Sequence, residues 1–306
     1  MPELKRTPLF AVYEKYRGRV VDFAGWELPV QFSGINDEHQ AVRERAGIFD
    51  VSHMGEVFVR GPGALAFLEQ ASMNDASRLY PGKAQYSALL NASGGIIDDI
   101  YIYCLTELEY LICVNASNAD KDFAWLASLA HPECELKNES AEWAQIAVQG
   151  PAAARIVERA AGASLAGIKR YHIGRARVAG VNVLPARSGY TGEDGFELFV
   201  PAKDAVKVWE ALMQAGKDDR LAPCGLGSRD TLRLEMGYPL HGHDITEQTT
   251  PLEAGLDRFL ALDKPEFVGK AALLRQKAEG LTRKRVGLVM TEPGVPRDGY
   301  KIKTPR

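Results

Sequence analysis

From residue 55 onward, short apolar runs of strand character alternate with stretches whose apolar residues recur at helical spacing, which narrows the possible architectures sharply. Residues 55–60 read as a strand, 63–70 as a helix and 96–103 as a strand. Residues 111–114 read as another strand, followed by a helix that Asn118 caps and that packs Phe123, Trp125, Leu126 and Leu129. A strand, helix, strand, strand, helix order predicts a mainly antiparallel sheet with helices on one face. A second such unit follows. In it, residues 145–148 form a strand, Pro151 starts a helix where proline is tolerated, and 178–184 and 196–200 are strands. A helix from Ala202 presents Ala205, Val208, Trp209 and Leu212 on one side and ends at Gly216; a later helix spans 270–279 and closes at Gly280. Residues 285–290 and 299–302 read as two more strands. Two strands cannot form a domain alone, so they must pair with an earlier sheet, with another chain, or within a longer element. The expected fold class is α+β, with antiparallel sheets flanked by helices.

The 306 residues, 46% hydrophobic and 25% charged, are enough for about two or three packed domains. A formal net charge of -3 argues against nucleic acid held by a general electrostatic field. Cys104, Cys113, Cys134 and Cys224 lie far apart without C-x-x-C spacing, so neither a zinc site nor a disulfide framework is signalled and a reducing cytoplasm fits. No window approaches 18 uninterrupted apolar residues, and no apolar stretch follows the polar first six. A soluble, untargeted, cytoplasmic monomer is expected.

Three segments carry candidate chemistry. In Ser188-Gly189-Tyr190-Thr191-Gly192-Glu193-Asp194-Gly195-Phe196-Glu197, three glycines permit positive φ and close backbone approach, and strand alternation turns Glu197 away from Phe196 and Leu198. The alternative is a hairpin turn leading to an edge strand with an exposed glutamate. In Gly94-Gly95-Ile96-Ile97-Asp98-Asp99-Ile100-Tyr101-Ile102-Tyr103, alternation groups Asp98 with Ile96, Ile100 and Ile102, and Asp99 with Ile97, Tyr101 and Tyr103. A face mixing a carboxylate with phenols suits a planar, polar-edged ligand, so Asp99 is the ligand-facing acid, and Asp98 needs backbone donors or a cation. The alternative is an edge strand with one solvated aspartate and one capping a turn. In Gly225 to Gly237, Ser228 caps a helix on which Arg229 and Arg233, four residues apart, could together address a carboxylate, or could pair with Asp230 and Glu235 within the helix. His241-Gly242-His243-Asp244 has no other His or Cys at ligand spacing, so no metal is expected. Ser52 and His53, adjacent on a strand, would face opposite ways and not act as nucleophile and base; Met54 is an apolar wall of core or ligand site. No G-x-S-x-G, Walker or G-x-G-x-x-G motif is present.

Together these segments resemble the aminomethyltransferase of the glycine cleavage system, the T-protein family. The resemblance includes Val21-Asp22-Phe23-Ala24-Gly25-Trp26, Phe49-Asp50-Val51-Ser52-His53-Met54-Gly55-Glu56, Gly94 to Asp99, Gly189 to Glu197, Gly225 to Glu235 and Gly242-His243-Asp244-Ile245, in order from about residue 5 to 302. It implies a multi-domain folate-binding fold: a discontinuous domain from 1–50 plus 141–282, an α+β domain at 51–140, and at 283–306 the start of a truncated C-terminal β-barrel. It also implies a tetrahydrofolate-dependent enzyme that takes the aminomethyl group from the dihydrolipoyl arm of a lipoylated carrier, the H-protein, releasing ammonia and forming methylenetetrahydrofolate. The family's catalytic aspartate falls on Asp99. Met54, Tyr86, Tyr103, Asn115, Tyr171, Tyr190, Glu197, Arg229 and Tyr238 match positions lining its folate cavity. His241 stands where many members have tyrosine. The related iron–sulfur assembly factors carry a Lys-Gly-Cys-Tyr-x-Gly-Gln run whose cysteine is missing from residues 188–193. A folate-dependent demethylase of a small methyl donor and a non-catalytic folate-binding protein are the alternatives.

Overall fold

The computed structural model describes residues 3–129, 132–297 and 299–303. Two sheets dominate. The six-stranded one runs in the order Ala176–Val178, Val181–Ala186, Gly195–Pro201, Trp143–Gln149, Gly47–Asp50 and Ala222–Cys224; only the last pair is parallel. The five-stranded one, Ala84–Leu90, Ile96–Thr106, Glu109–Val114, Gly55–Arg60 and Glu135–Asn138, is antiparallel throughout.

Alternation explains how the sheets meet. Phe196, Leu198 and Val200 turn to a core shared with Ile146, Val148 and the helices Ala153–Ala161 and Ala205–Ala215, in which Trp209 is wholly buried. On the opposite face, Phe199 and Leu184 meet Phe58, Tyr103 and Leu111 of the five-stranded sheet. The far side of that second sheet buries Val57, Val59, Ile102 and Ile112 beneath Phe67 and Leu68 of the helix Ala64–Ala71 and Leu126 of Ala119–Ser128. The expectation of helices on one face alone is corrected for the six-stranded sheet: Phe49 and Ala147, which alternate with the core residues Ile48 and Val148, pack on the opposite face against Val42 of the helix Ile35–Glu44 and Leu232 of the helix Leu226–Glu235. Residues 245–273 add a further cluster, in which Ile245, Leu256, Phe267 and Leu273 pack on Met73, Leu90 and Ile96.

Several local expectations are corrected. Residues 178–184 are two strands, because Ala179 and Gly180 take φ of 50° and 80° and turn the chain into a tight hairpin. Pro151 stands in the turn ahead of its helix, with Ala152 at the N-cap position. The helix Leu226–Glu235 starts at Gly225, and Ser228 lies within its first turn with its hydroxyl on the Gly225 carbonyl (3.0 Å). The segment after Asp50 is a turn, not a strand, so Ser52 and His53 part by turn geometry: Ser52 faces Gln145, and His53 faces the opening between the sheets.

Residues 285–290 and 299–302 form no strand. Arg283 pairs with Glu253 (3.0 Å) and the Arg285 N–H donates to the Glu253 carbonyl (2.9 Å). Beyond that tether Val286, Leu288 and Val289 are 71%, 68% and 93% exposed, and among the described residues no strand pairs with them. Apolar β-prone sequence becomes a strand only when an edge receives it.

Asp50, at the end of its strand, collects the hydroxyls of Thr7 (2.6 Å) and Tyr13 (2.5 Å) and the N–H of Ser52 (2.9 Å), locking the N-terminal segment onto the six-stranded sheet. Tyr13→Phe removes one donor from a buried charged acceptor and is expected to cost about 1.5–3 kcal/mol, measurable as a lower urea midpoint at unchanged slope.

Candidate active site

The Ile96–Thr106 strand carries the two aspartates. A register shift opposite Leu89 and Leu90 leaves Ile97 without a partner, so Ile97 joins Ile100 and Ile102 in the helix-covered core instead of sharing a face with Asp99. Downstream of this bulge the alternation holds. Asp98 is fully buried, and its oxygens accept from the Asn115 N–H (2.8 Å), the Asn115 Nδ2 (2.9 Å) and the Asn118 Nδ2 (2.6 Å). Those are the donors its burial demands. Asn118 does occupy the N-cap of its helix, but its side chain serves Asp98 and His241 (3.0 Å) and makes no cap bond. Asp99 turns to the opening, where Tyr86 OH (3.1 Å) and Asn115 Nδ2 (3.0 Å) donate to it. Burial, followed by the adjacent Asp98 charge, pushes its carboxyl up to about 7.

The loop before Gly195–Pro201 is held by three side chains. Arg187 closes its base on Asp194 (2.6 Å); Gln149 donates to the Ser188 carbonyl (3.0 Å) and accepts from Thr191 (2.9 Å). Arg43 reaches Glu193 (2.9 Å), the Thr191 carbonyl (2.6 Å) and Glu235 (2.9 Å), clamping the loop to the helix Leu226–Glu235. Of the three glycines, Gly192 alone takes a positive φ, 85°. Glu197 lies on an interior strand, between Val181–Ala186 and Trp143–Gln149, and is only 9% exposed, so the exposed edge-strand alternative does not hold. Ser188 donates to it at 2.5 Å and lies 3.3 Å from Tyr103 OH. Burial raises the Glu197 carboxyl, opposed by Ser188 and Arg229.

The helix bearing Arg229 is seated by Glu38, which is fully buried and accepts from the N–H groups of Ser33 (3.0 Å), Gly34 (3.2 Å) and Gly225 (2.8 Å). A Cβ on Gly225 would fall 2.5 Å from the Val30 backbone, so only glycine allows the helix this close. The two arginines do not act together. Arg233 is bound to Asp230 (2.8 Å) and to Asp244, whereas Arg229 lies 5.0 Å from the centre of the Tyr190 ring. Tyr190 in turn stacks on Tyr238 at 5.9 Å and bonds the Pro239 carbonyl.

These side chains converge on a cavity of about 1330 Å³. Met54, Tyr86, Asp99, Tyr103, Asn115, Tyr171, Tyr190, Glu197, Arg229 and Tyr238 all line it. Tyr171 is 45% exposed and stands at the mouth with Arg170. Sequence reasoning left several lining residues unassigned. Tyr101 stacks on Tyr103 at 5.6 Å, and Phe259 packs edge-on against Tyr86 at 4.8 Å. Tyr101 shared a face with Asp99 in the sequence and could have been found from alternation; Phe259 comes from a distant turn with no local signal. His53, 5% exposed, also lines the wall, and burial and Arg229 hold its imidazole neutral, down to about 3. Among the described residues no group of His, Cys, Asp and Glu could hold a metal ion, and no helix is long and apolar enough to cross a membrane.

A cavity walled by stacked phenols, with two buried carboxyls and an arginine at separate points, defines a binding site for a flat ligand with polar edges. Comparison with known proteins shows the family. Residues 9–264 match the model for the GCVT N-terminal domain. The aminomethyltransferase of Halalkalibacterium halodurans is 49% identical over 303 residues, covering 99% of this chain and 83% of that protein. That of Geobacillus kaustophilus is 49% identical over 301 residues, covering 98% and 83%. The crystal structure of the glycine cleavage system aminomethyltransferase T from Bartonella henselae superposes with a TM-score of 0.84 at 38% identity, over 90% of this chain and 76% of that one. The chain belongs to the aminomethyltransferase family, the T-proteins of glycine cleavage.

Proposed function

We propose that the chain is a glycine cleavage aminomethyltransferase that moves the methylene of an aminomethyl group, held as a thioether on a lipoylated carrier protein, to tetrahydrofolate. The observation that carries this reading is Asp99 in a phenol-lined cavity that a second buried carboxyl, Glu197, also lines. A reduced pterin is flat, carries ring N–H donors along one edge and has secondary amines at the other. Glu197 supplies an acceptor for the N–H edge, Tyr190, Tyr238 and Met54 the flat walls, and Arg229 a partner for a ring oxygen or carboxylate.

In the transfer, the carbon–nitrogen and carbon–sulfur bonds of the aminomethyl thioether break, and two carbon–nitrogen bonds to the folate amines form. The two amine protons depart with ammonia and with the carrier thiol. Positive charge develops on the migrating carbon as ammonia leaves. Asp99 orients the reacting amines and stabilises that charge, a task for its ionised form. Since its carboxyl is pushed up to about 7, kcat is expected to fall as pH drops through about 7 and to level above it. A pH series of single turnovers checks this; a limb in the ordinary carboxylate range contradicts it.

The defining test mixes the protein with tetrahydrofolate and aminomethyl-loaded carrier and measures ammonia and methylenetetrahydrofolate. Equal amounts of both, dependent on the carrier, support the transferase; turnover of a small methyl donor without the carrier supports a demethylase.

A further inference from the structure

We propose that Asp122 is a positioning residue for the reaction inferred above, on which the proposal rests: behind the cavity wall its carboxyl group shares one proton with the carboxylate of Asp98, so that the pair carries a single negative charge beside Asp99. Asp122 and Asp98 are both fully buried. The Asp122 N–H donates to the Asn118 carbonyl at 2.8 Å, which sets Asp122 one helical turn beyond the residue whose amide reaches Asp98 at 2.6 Å. Asn118 thus touches both residues, its side chain on Asp98 and its carbonyl on the Asp122 N–H, and neither carboxyl lines the cavity; the Asp98 carboxyl is the hydrogen-bonding neighbour that acts on Asp122.

Their surroundings are unequal. Asp98 receives three N–H donors from Asn115 and Asn118, while among the described residues no N–H or hydroxyl donor reaches either oxygen of Asp122. A carboxylate only accepts hydrogen bonds, and two ionised carboxylates in contact without water repel. The arrangement is satisfied when Asp122 is the protonated partner and its O–H donates to Asp98. Burial and the Asp98 charge both act in this direction, pushing the Asp122 carboxyl up to about 10.

The neighbouring charges leave this pairing intact. Lys121, next to Asp122, opposes the rise but is outweighed by burial and Asp98, its ammonium being bonded to the Ile97 carbonyl (3.1 Å) and Glu247 (2.8 Å); Asp120 faces outward to Lys5. His241 reaches the pair only through the Asn118 amide, with its other nitrogen 3.1 Å from the Ile96 carbonyl. Cys113 and Tyr86, from the flanking strands, and Tyr190, from the loop across the cavity, are neutral hydrogen-bearing groups held up by burial. One charge therefore stands behind Asp99. An ionised Asp122 would add a second, and a pair without charge would remove the repulsion that, with burial, keeps the Asp99 carboxyl high.

The shared proton is read directly by infrared difference spectroscopy of folded wild type against Asp122→Asn at pH 8. The expected result is a carbonyl-stretch band of a protonated carboxylic acid present in the wild type and lost in the variant. Glu56, also buried without a partner, contributes equally to both and cancels. An unchanged band overturns the proposal. Kinetics give the second arm. Asp122→Leu, which offers no donor, is expected to lower kcat about tenfold with KM little changed, and Asp122→Asn, whose amide can donate to Asp98, to restore it. Asp98→Asn is expected to move the acid limb of the rate profile about one pH unit lower. Equal loss in the Leu and Asn variants, or an unmoved limb in Asp98→Asn, contradicts the proposal. A wild-type chain without turnover counts against the reaction, and the infrared band then decides the shared proton alone.

Discussion

Asp99→Asn is expected to lower carrier-dependent turnover by about 10²–10⁴-fold, the range for losing a positioned catalytic carboxyl. The substitution preserves shape. Tyr86 OH can still donate to the amide oxygen; the Asn115 Nδ2 loses its acceptor on that side chain and keeps Asp98 and the residue 99 carbonyl. What disappears is negative charge where the migrating carbon becomes positive. Folding is not expected to suffer. The wild-type carboxyl is held above its ordinary value, so the folded state loses stability as pH rises from the ordinary carboxylate range to about 7, where the loss is complete. An amide is free of that cost, so the variant's melting temperature at pH 8 should equal or exceed the wild type's. A variant that melts no lower and has lost turnover separates chemistry from folding; full turnover would sink the role of Asp99.

Glu197→Gln tests the second buried carboxyl of the cavity. Among the described residues its carboxyl has one donor, Ser188, and the residue lines the cavity. A glutamine presents one oxygen and an N–H₂ that opposes the N–H edge of a pterin. The expected loss is about 10- to 100-fold in tetrahydrofolate affinity, as for a charged hydrogen bond of about 1.5–3 kcal/mol. The kcat of the saturated variant should change far less, because Glu197 lies apart from the reacting amines. Calorimetric titration gives the affinity and steady-state kinetics the split. Unchanged affinity would remove Glu197 from the pterin edge.

Period-two and helical patterning made both sheets legible wherever apolar faces are continuous, as in residues 55–60, 111–114 and 196–200. The residues singled out for the site also come together spatially, because the motifs lie on strand ends and loops that the two sheets bring to one opening. What escaped was decided by contacts distant in sequence or by single-residue irregularities. The bulge at Ile97 breaks the alternation at a β-branched residue inside an apolar run. Ser228 and Asn118 have good capping chemistry, yet the Glu38-bound Gly225 N–H starts the helix one turn before Ser228, and Asp98 draws the Asn118 side chain elsewhere. Arg229 and Arg233 share a helix face by spacing, but Asp244, from the following loop, takes Arg233. Residues 285–290 have strand composition, and composition cannot supply the neighbouring edge that a strand requires.

The central claim is that this cavity takes tetrahydrofolate, and anaerobic calorimetric titration of the folded 306-residue chain tests it most directly. The expected result is saturable binding at one site per chain, weakened in Glu197→Gln and retained in Asp99→Asn. A folded chain that takes up no tetrahydrofolate, or binds it equally well in the Glu197 variant, would contradict the account.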